Sequence, residues 1–270
     1  MRRWCELKFE DDLSDIRPRE HNYYKHHVHH FVTTYFCPER IKGATILDLG
    51  CGPGFYSTIL ARHAARVVGI DRNATLIRKA REHRERHAIP NLEYVQADCA
   101  DYLYNLEPDC FDYALAIDTV VSFDFNRRTH AHHRAVRTFQ SVARVLKPTG
   151  RLFIIEAHPF FGTVMEEITS PDGEVFCIRQ GDYRIEYKTP GELHHWFTLE
   201  EMTRAASEGG LAIIRIHEPE PSRSMQDSDP DGYRFRMRYP AMIVYEICRL
   251  MEIGSVPTNS DIPTKGDCNG

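Results

Sequence analysis

Residues 45–57 read Thr45-Ile-Leu-Asp-Leu-Gly-Cys-Gly-Pro-Gly-Phe-Tyr-Ser57. Ile46, Leu47 and Leu49 have the make-up of a buried strand, Gly50, Gly52 and Gly54 that of a tight turn, and Phe55 to His63 that of a helix. Glycines let the backbone bend sharply and leave no Cβ to keep a ligand away. The helix start adds free N–H groups facing whatever lies above the turn. The stretch therefore predicts a strand–turn–helix site for a nucleotide-type ligand.

Two residues narrow the ligand. A dinucleotide turn wants Gly-x-Gly-x-x-Gly, its third glycine allowing close helix–strand packing. Here that place holds Phe55, and Pro53 has no N–H to offer a phosphate. An adenosine ligand without a pyrophosphate fits this turn better than NAD. The pattern Asp48-Leu49-Gly50-x-Gly52-x-Gly54 resembles the first motif of class I S-adenosylmethionine (SAM) methyltransferases. The resemblance implies that Asp48, Gly50, Cys51, Gly52 and Gly54 lie against the cofactor.

Three more strands follow in order, each running into an acid. Arg66 to Asp71 is the second, and Asp71 stands 21 residues beyond Gly50, where an acid accepts from both ribose hydroxyls. Arg72 is beside it, and Asn73 can cap the next helix, which runs to His87. Leu92 to Cys99 is the third strand; there Asp98 can accept from the adenine amino group and the Cys99 N–H can reach a ring nitrogen. Phe111 to Asp118 is the fourth. Acids ending parallel strands gather at the carboxyl edge, where open α/β sheets bind their ligands. Across Thr45 to Ile155, order and spacing are similar to the class I methyltransferase motifs. A helix from Thr129 to Leu146 should stop at Lys147-Pro148-Thr149-Gly150 and lead to a fifth strand, Arg151 to Glu156. Leu146-Lys-Pro-x-Gly-x-Leu152 resembles the branch containing ubiquinone-biosynthesis and many small-molecule methyltransferases.

The predicted fold is thus α/β and Rossmann-like: a seven-stranded, mostly parallel sheet with helices on both faces and an antiparallel last strand. Leu211 to His217 and Ala241 to Cys248 are the last two strands, an antiparallel pair, with a polar loop from Pro219 to Asp231 between them. Residues 1–40 form an N-terminal cap region, in which Glu20 to Cys37 reads as a helix ended by Pro38. Residues 41–254 form the methyltransferase domain, and 255–270 a disordered tail. The family resemblance brings the cap tyrosines, Tyr24 among them, near the methionine end of the cofactor. Residues 158–197 are an insertion: Glu174 to Arg179 and Asp182 to Lys188 alternate around Gln180-Gly181 as a hairpin, which in this branch roofs the acceptor pocket. A capped helix from Thr198 to Gly210 follows.

Composition bounds the partners. At 270 residues with 42% hydrophobic content the chain suits one large domain. A net charge of −5 argues against a nucleic-acid partner. No run of about 18 apolar residues is present, so no membrane span is expected, and the first residues lack an apolar signal core. Eight cysteines stand singly, with no Cys-x-x-Cys pair, which reads as reduced thiols in a cytoplasmic protein. His26 and His30 share a helix face, but with no cysteine or carboxylate motif beside them the reading is no metal. The oligomeric state stays open, homo-oligomer included.

A sulfonium methyl is already activated, so transfer needs alignment, water exclusion and, for a protonated acceptor, a base. Histidine is the natural base near neutral pH. His158 follows the fifth strand; His194 and His195 close the lid beside Trp196 and Phe197. Relatives often carry a histidine just before this Thr-Leu, where this chain has Trp196, so the choice between His194 and His195 stays open. No Asn/Asp-Pro-Pro-Tyr/Phe and no Pro-Cys follows the fourth strand, which argues against nucleic-acid base methylation. The sequence therefore reads as a SAM-dependent methyltransferase acting on O, N or C of a small molecule, with S-adenosylhomocysteine as by-product and a specialised metabolite as acceptor. A peptide or protein amine N-methyltransferase, an NAD-dependent oxidoreductase and a non-catalytic SAM-binding protein are the alternatives.

Overall fold

The computed structural model describes residues 24–119, 132–158, 177–179, 184–186, 193–195 and 199–250. A π-helical turn (Tyr24–Val28) runs into α1 (His29–Tyr35), and α2 (Pro38–Ile41) leads to β1 (Thr45–Leu49). Then come α3 (Phe55–Ala61), β2 (Arg66–Asp71), α4 (Ala74–Arg86), β3 (Leu92–Gln96), α5 (Cys99–Tyr104) and β4 (Phe111–Ile117). After α6 (His132–Val145) and β5 (Leu146–Ala157), three short strands follow, β6 (Cys177–Arg179), β7 (Arg184–Glu186) and β8 (Leu193–His195). The chain continues through α7 (Leu199–Glu208), β9 (Leu211–His217), α8 (Arg223–Ser228), α9 (Pro230–Arg238) and β10 (Met242–Arg249).

Seven strands form one sheet in the order β3-β2-β1-β4-β5-β10-β9. β3, β2, β1, β4 and β5 pair in parallel, and β10 runs antiparallel to both β5 and β9. Strand side chains alternate between faces, and both faces here are apolar, as a helix-covered parallel sheet requires. Leu47, Leu49, Ala114, Ala116, Leu152 and Ile154 pack against Phe139 and Val142 of α6 and Met202 and Ala205 of α7. Their neighbours Ile46, Leu115, Phe153 and Ile155 pack on the opposite side with Phe31 and Val32 of α1, Leu60 of α3 and Ile77 of α4. The cap helix therefore shares a core with the sheet.

Four expectations change. The N-terminal helix is split: its first turn is π-helical, and Pro38 opens α2 as well as closing the previous helix. The predicted stop at Lys147–Gly150 is taken up by β5, because Phe111 pairs with Leu146 and Tyr113 already with Arg151. The excursion is held by Lys147 Nζ, 2.8 Å from both Asp112 oxygens, while Asp112 Oδ2 also accepts the Thr45 N–H at 2.8 Å. The lid hairpin pairs as expected, Cys177 with Glu186 and Arg179 with Arg184, and gains a third strand through Arg184 with His195 and Glu186 with Leu193. The polar loop is largely helical: α9 begins Asp229-Pro230, with Asp229 Oδ1 accepting the Gly232 N–H at 2.9 Å and proline in the first turn, where it sacrifices no helical bond. The tail predicted for 255–270, and Trp196, Phe197 and Thr198 at the end of the lid, lie outside the described residues.

Candidate active site

The glycine turn sits between the end of β1 and the start of α3. Gly50, Gly52 and Gly54 all adopt positive φ, at 65°, 55° and 88°, where a Cβ is strained. Two of them are also crowded. A Cβ on Gly50 would lie 2.3 Å from the Thr119 methyl, and one on Gly54 would lie 2.0 Å from Tyr94 Oη. At Gly52 nothing among the described residues stands within 4 Å of a Cβ. Tyr94 Oη donates to the Gly54 carbonyl at 3.1 Å, fixing the turn from β3.

The four acids differ in what they do. Asp48 is buried inside the turn, and its Oδ2 accepts the Ser57 hydroxyl at 2.5 Å. Burial pushes its carboxyl up to about 7, the Ser57 hydrogen bond pulling the other way. Asp71 at the end of β2 is half-buried; Oδ2 accepts the Gly52 N–H at 3.0 Å and Oδ1 the Asn73 N–H at 2.8 Å. Arg72 beside it is exposed. Asp98 caps α5, its Oδ1 accepting the Ala100 N–H at 3.0 Å. Burial pushes the next residue, Cys99, up to about 12, and the Cys51 thiol is buried and raised as well. Asp118 follows β4 at φ 46°, a left-handed position that is uncommon outside glycine. Its carboxylate adds to burial in pushing the Tyr56 phenol up; the Tyr56 hydroxyl is buried with no hydrogen-bond partner among the described residues.

Across the sheet, the ends of β4 and β5 are tied together. Asp118 N–H bonds the Ile155 carbonyl at 2.9 Å, and Thr119 N–H donates to Glu156 Oε1 at 3.1 Å. Thr119 Oγ1 also donates to the Gly50 carbonyl at 3.3 Å, linking β5 through β4 to the glycine turn. His158, just past β5, is 4% exposed; its backbone N–H bonds the Ala241 carbonyl and its Nε2 lies 2.9 Å from Glu218 Oε1. Thr119, Tyr94 and Glu218 escape a motif reading; Glu218 had one visible signal, an acid directly after a strand-ending His217.

The cap turn borders this edge. His26 and His27 are both 1% exposed. His26 Nδ1 meets Ser222 Oγ at 2.7 Å, and its carbonyl accepts the Ser222 N–H at 2.8 Å. Burial, with Arg236, His26 and His30 nearby, holds His27 down at about 4. His29 packs beside Phe55 at the start of α3, ring centroids 5.9 Å apart. Tyr24 begins the π-helical turn. His194 and His195 lie on β8, paired with Ile185 and Arg184, and are brought together with His158 by nothing among the described residues. Among the described residues no three His, Cys, Asp or Glu gather as a metal site, and no helix is long and apolar enough to cross a membrane.

Comparison with known proteins agrees with this arrangement. A family model described as a methyltransferase domain matches residues 41–201. The ubiquinone biosynthesis O-methyltransferase of Coxiella burnetii is 28% identical over 178 residues, covering 65% of this chain and 67% of that one. The protein of the same name from a Methylobacterium species is 30% identical over 183 residues, covering 65% and 63%. Among solved structures, an S-adenosylmethionine-dependent methyltransferase from Mesorhizobium loti aligns with a TM-score of 0.54 at 22% identity, over 80% of this chain and 94% of that one. The chain belongs to the methyltransferase-domain family, and its sheet is that of the Rossmann-like SAM-dependent methyltransferases.

Proposed function

We propose that this chain transfers the methyl group of SAM to a small-molecule acceptor, with a specialised metabolite as the class of substrate. The observation that carries the reading is the row of groups along the carboxyl edge. Asp98, Asp71 and the glycine turn stand on the β3-β2-β1 side, and Asp118, Thr119, Glu156 and His158 on the β4-β5 side. The strand order reverses between those halves, and ligands of open α/β sheets sit at such a reversal.

The residues present fit an adenosine ligand: nothing among the described residues fills the space over Gly52, which gives a nucleoside room, and the half-buried Asp71 carboxylate is bonded to the Gly52 N–H. In this reading Asp71 accepts from the ribose hydroxyls, Asp98 from the adenine amino group, and the Cys99 N–H meets a ring nitrogen. Gly50, Cys51, Gly52 and Gly54 line the cofactor with Asp48 behind them and Arg72 beside Asp71, while Tyr24 and Asp118 border the methionine end. Bound SAM supplies an electrophilic methyl carbon. The chain's own work is then to align the acceptor, exclude water and take a proton where the acceptor carries one. His158 is the base in this reading, and His194 and His195 belong to the lid over the acceptor.

The name shared by the two ubiquinone-pathway relatives favours oxygen as the atom that receives the methyl. Calorimetry tests the reading. S-adenosylhomocysteine is expected to bind and NADH not, with Asp71→Ala and Asp98→Ala each weakening S-adenosylhomocysteine by about tenfold or more. Absence of binding, or wild-type affinity in both variants, overturns it.

A further inference from the structure

We infer that Tyr56 is a cofactor-binding residue whose hydroxyl oxygen accepts, together with the Asp118 carboxylate, the ammonium group at the methionine end of SAM. This rests on the SAM reading above and adds to it a residue that lies outside the glycine and acid motifs.

Three hydroxyl side chains in a row, Tyr56, Ser57 and Thr58, lie in the first turn of α3. Two of them are spent within the fold. Ser57 Oγ donates to Asp48 Oδ2 at 2.5 Å, and Thr58 Oγ1 meets Tyr94 Oη at 3.4 Å. Tyr56 Oη is buried and has no hydrogen-bond partner among the described residues. Buried polar groups are hydrogen-bonded in the great majority of cases, so one that is not calls for a reason. A ligand contact is that reason here, because Tyr56 stands two residues past Gly54, the last glycine of the turn.

The ring is held where it is. It packs against the core on the cap side of the sheet and meets Phe55 edge-on, centroids 5.1 Å apart. Phe55 in turn lies 5.9 Å from His29 of α1. A phenol has two side-chain torsions, and with its ring packed the hydroxyl cannot turn out to water. The far side of the site is equally fixed. The Asp118 N–H bonds the Ile155 carbonyl at 2.9 Å, and the adjoining Thr119 Oγ1 donates to the Gly50 carbonyl at 3.3 Å. The end of β4 is thereby tied to the start of the turn whose end carries Tyr56.

The charges around the hydroxyl choose its partner. Burial first, then the Asp118 and Asp48 carboxyls, push the phenol up. That setting keeps the hydroxyl neutral and disfavours a second anion, so the fitting partner is a cationic donor. SAM carries two cations. Its sulfonium has no N–H or O–H hydrogen, whereas its ammonium has three and can donate to a hydroxyl oxygen and a carboxylate at once. The acceptor is the poorer candidate, since His158 and Glu156 belong to β5 and its end, while Tyr56 belongs to the helix that follows β1. S-adenosylhomocysteine keeps the ammonium, so the contact is expected with product as well as with SAM.

Calorimetry on the full chain tests this with three ligands. They are S-adenosylhomocysteine, S-adenosyl-3-thiopropylamine, which keeps the amine and lacks the carboxylate, and 5′-methylthioadenosine, which lacks both. Failure of wild type to bind S-adenosylhomocysteine overturns the SAM reading itself, and this inference with it. Tyr56→Phe keeps the ring and removes the oxygen. It is expected to weaken the first two ligands about tenfold or more and the third by less than about twofold. Asp118→Asn, tolerated at φ 46° because asparagine visits the left-handed region, should show the same selectivity. Thermal unfolding without ligand separates binding from a structural role. Tyr56→Phe should melt at the wild-type temperature or above, because it deletes a buried oxygen that has no partner. Where wild type binds S-adenosylhomocysteine, undiminished affinity in Tyr56→Phe overturns the proposal. So does equal weakening of all three ligands, a loss confined to the ligand with the carboxylate, or a ligand-free melting temperature lowered by more than a few degrees.

Discussion

The Asp71 carboxylate accepts the Gly52 N–H at 3.0 Å, so the acid that ends β2 holds the middle glycine of the turn that follows β1. Its other oxygen holds the Asn73 N–H at 2.8 Å, at the start of α4. Asp71 therefore shapes the turn, in addition to the ligand contact proposed for it. Hydrogen bonds to a charged acceptor are worth about 1.5–3 kcal/mol each. Asp71→Asn keeps one acceptor oxygen and turns an N–H₂ against a donor. It is expected to weaken S-adenosylhomocysteine binding about tenfold or more while lowering the melting temperature by only a few degrees; Asp71→Ala should lower both further. Calorimetry and thermal unfolding of the two variants check the order.

Gly54 and Tyr94 form a second such pair. The tyrosine hydroxyl donates to the Gly54 carbonyl and occupies the space that a Cβ would need. Tyr94→Phe removes this hydrogen bond and a longer one with Thr58 Oγ1 at 3.4 Å, and is expected to cost about 1–2 kcal/mol. Gly54→Ala meets both the clash and the strain of φ 88°, and should cost more than about 2 kcal/mol. Adding Tyr94→Phe to Gly54→Ala removes the nearest clashing atom but leaves the ring carbon Cζ 2.5 Å from the new Cβ, together with the strain, so rescue should be small. Urea unfolding of the three proteins measures this.

Much of this was legible in the chain because backbone demands and strand burial leave marks in sequence. Gly50, Gly52 and Gly54 are spaced for positive φ, and Asp71, Asp98 and Asp118 punctuate apolar runs. Asn73 is visible as a cap, and its Oδ1 does accept the Thr75 and Leu76 N–H groups at 2.9 and 3.2 Å. What could not be read depends on contacts distant in sequence. Thr119 fills the space beside Gly50 across 69 residues, and Glu218 meets His158 across 60. The bulge at Lys147–Gly150 escaped because its cause is Asp112, a residue on the neighbouring strand. The helices α8 and α9 were missed for a local reason: polar composition outweighed the Asp229-Pro230 start signal.

Asp48 makes stability depend on pH in an uncommon direction for a carboxylate. Its folded-state value of about 7 lies above the ordinary value of 3.8 because burial disfavours the charge. A group raised on folding contributes stability below its unfolded value and loses it as pH rises through the folded one. This term should therefore weaken the fold between about pH 4 and pH 7, by up to about 4 kcal/mol. Asp48→Asn keeps an oxygen for the Ser57 hydroxyl and removes the titration. Urea midpoints at pH 5 and pH 8 are expected to differ less in Asp48→Asn than in wild type.

Ser222 fastens the cap turn to the start of α8 through both its N–H and its hydroxyl on His26. Removing the hydroxyl leaves His26 Nδ1, in a residue 1% exposed, without that contact. Ser222→Ala is expected to cost the cap about 1 kcal/mol, which appears as roughly fivefold faster amide exchange in Tyr24–Val28 with the sheet unaffected.

His27, in the same turn, gives the cap a pH response of opposite sign to that of Asp48. Burial first, then Arg236 and the neighbouring His26 and His30, holds it at about 4, below its ordinary 6.5. A group depressed on folding contributes stability above its unfolded value and loses it as pH falls through the folded one. The cap should accordingly loosen as pH drops from about 6.5 towards 4, because an imidazolium there must face Arg236 with little water to screen it. Hydrogen exchange across Tyr24–Tyr35, corrected for the intrinsic pH dependence of exchange, is expected to lose protection over that interval, and His27→Gln to flatten the dependence. The loss should appear in the cap before it appears in β1 and β4, whose amides are shielded by the core rather than by this turn. A cap and sheet that lose protection together would mean that the turn does not open on its own.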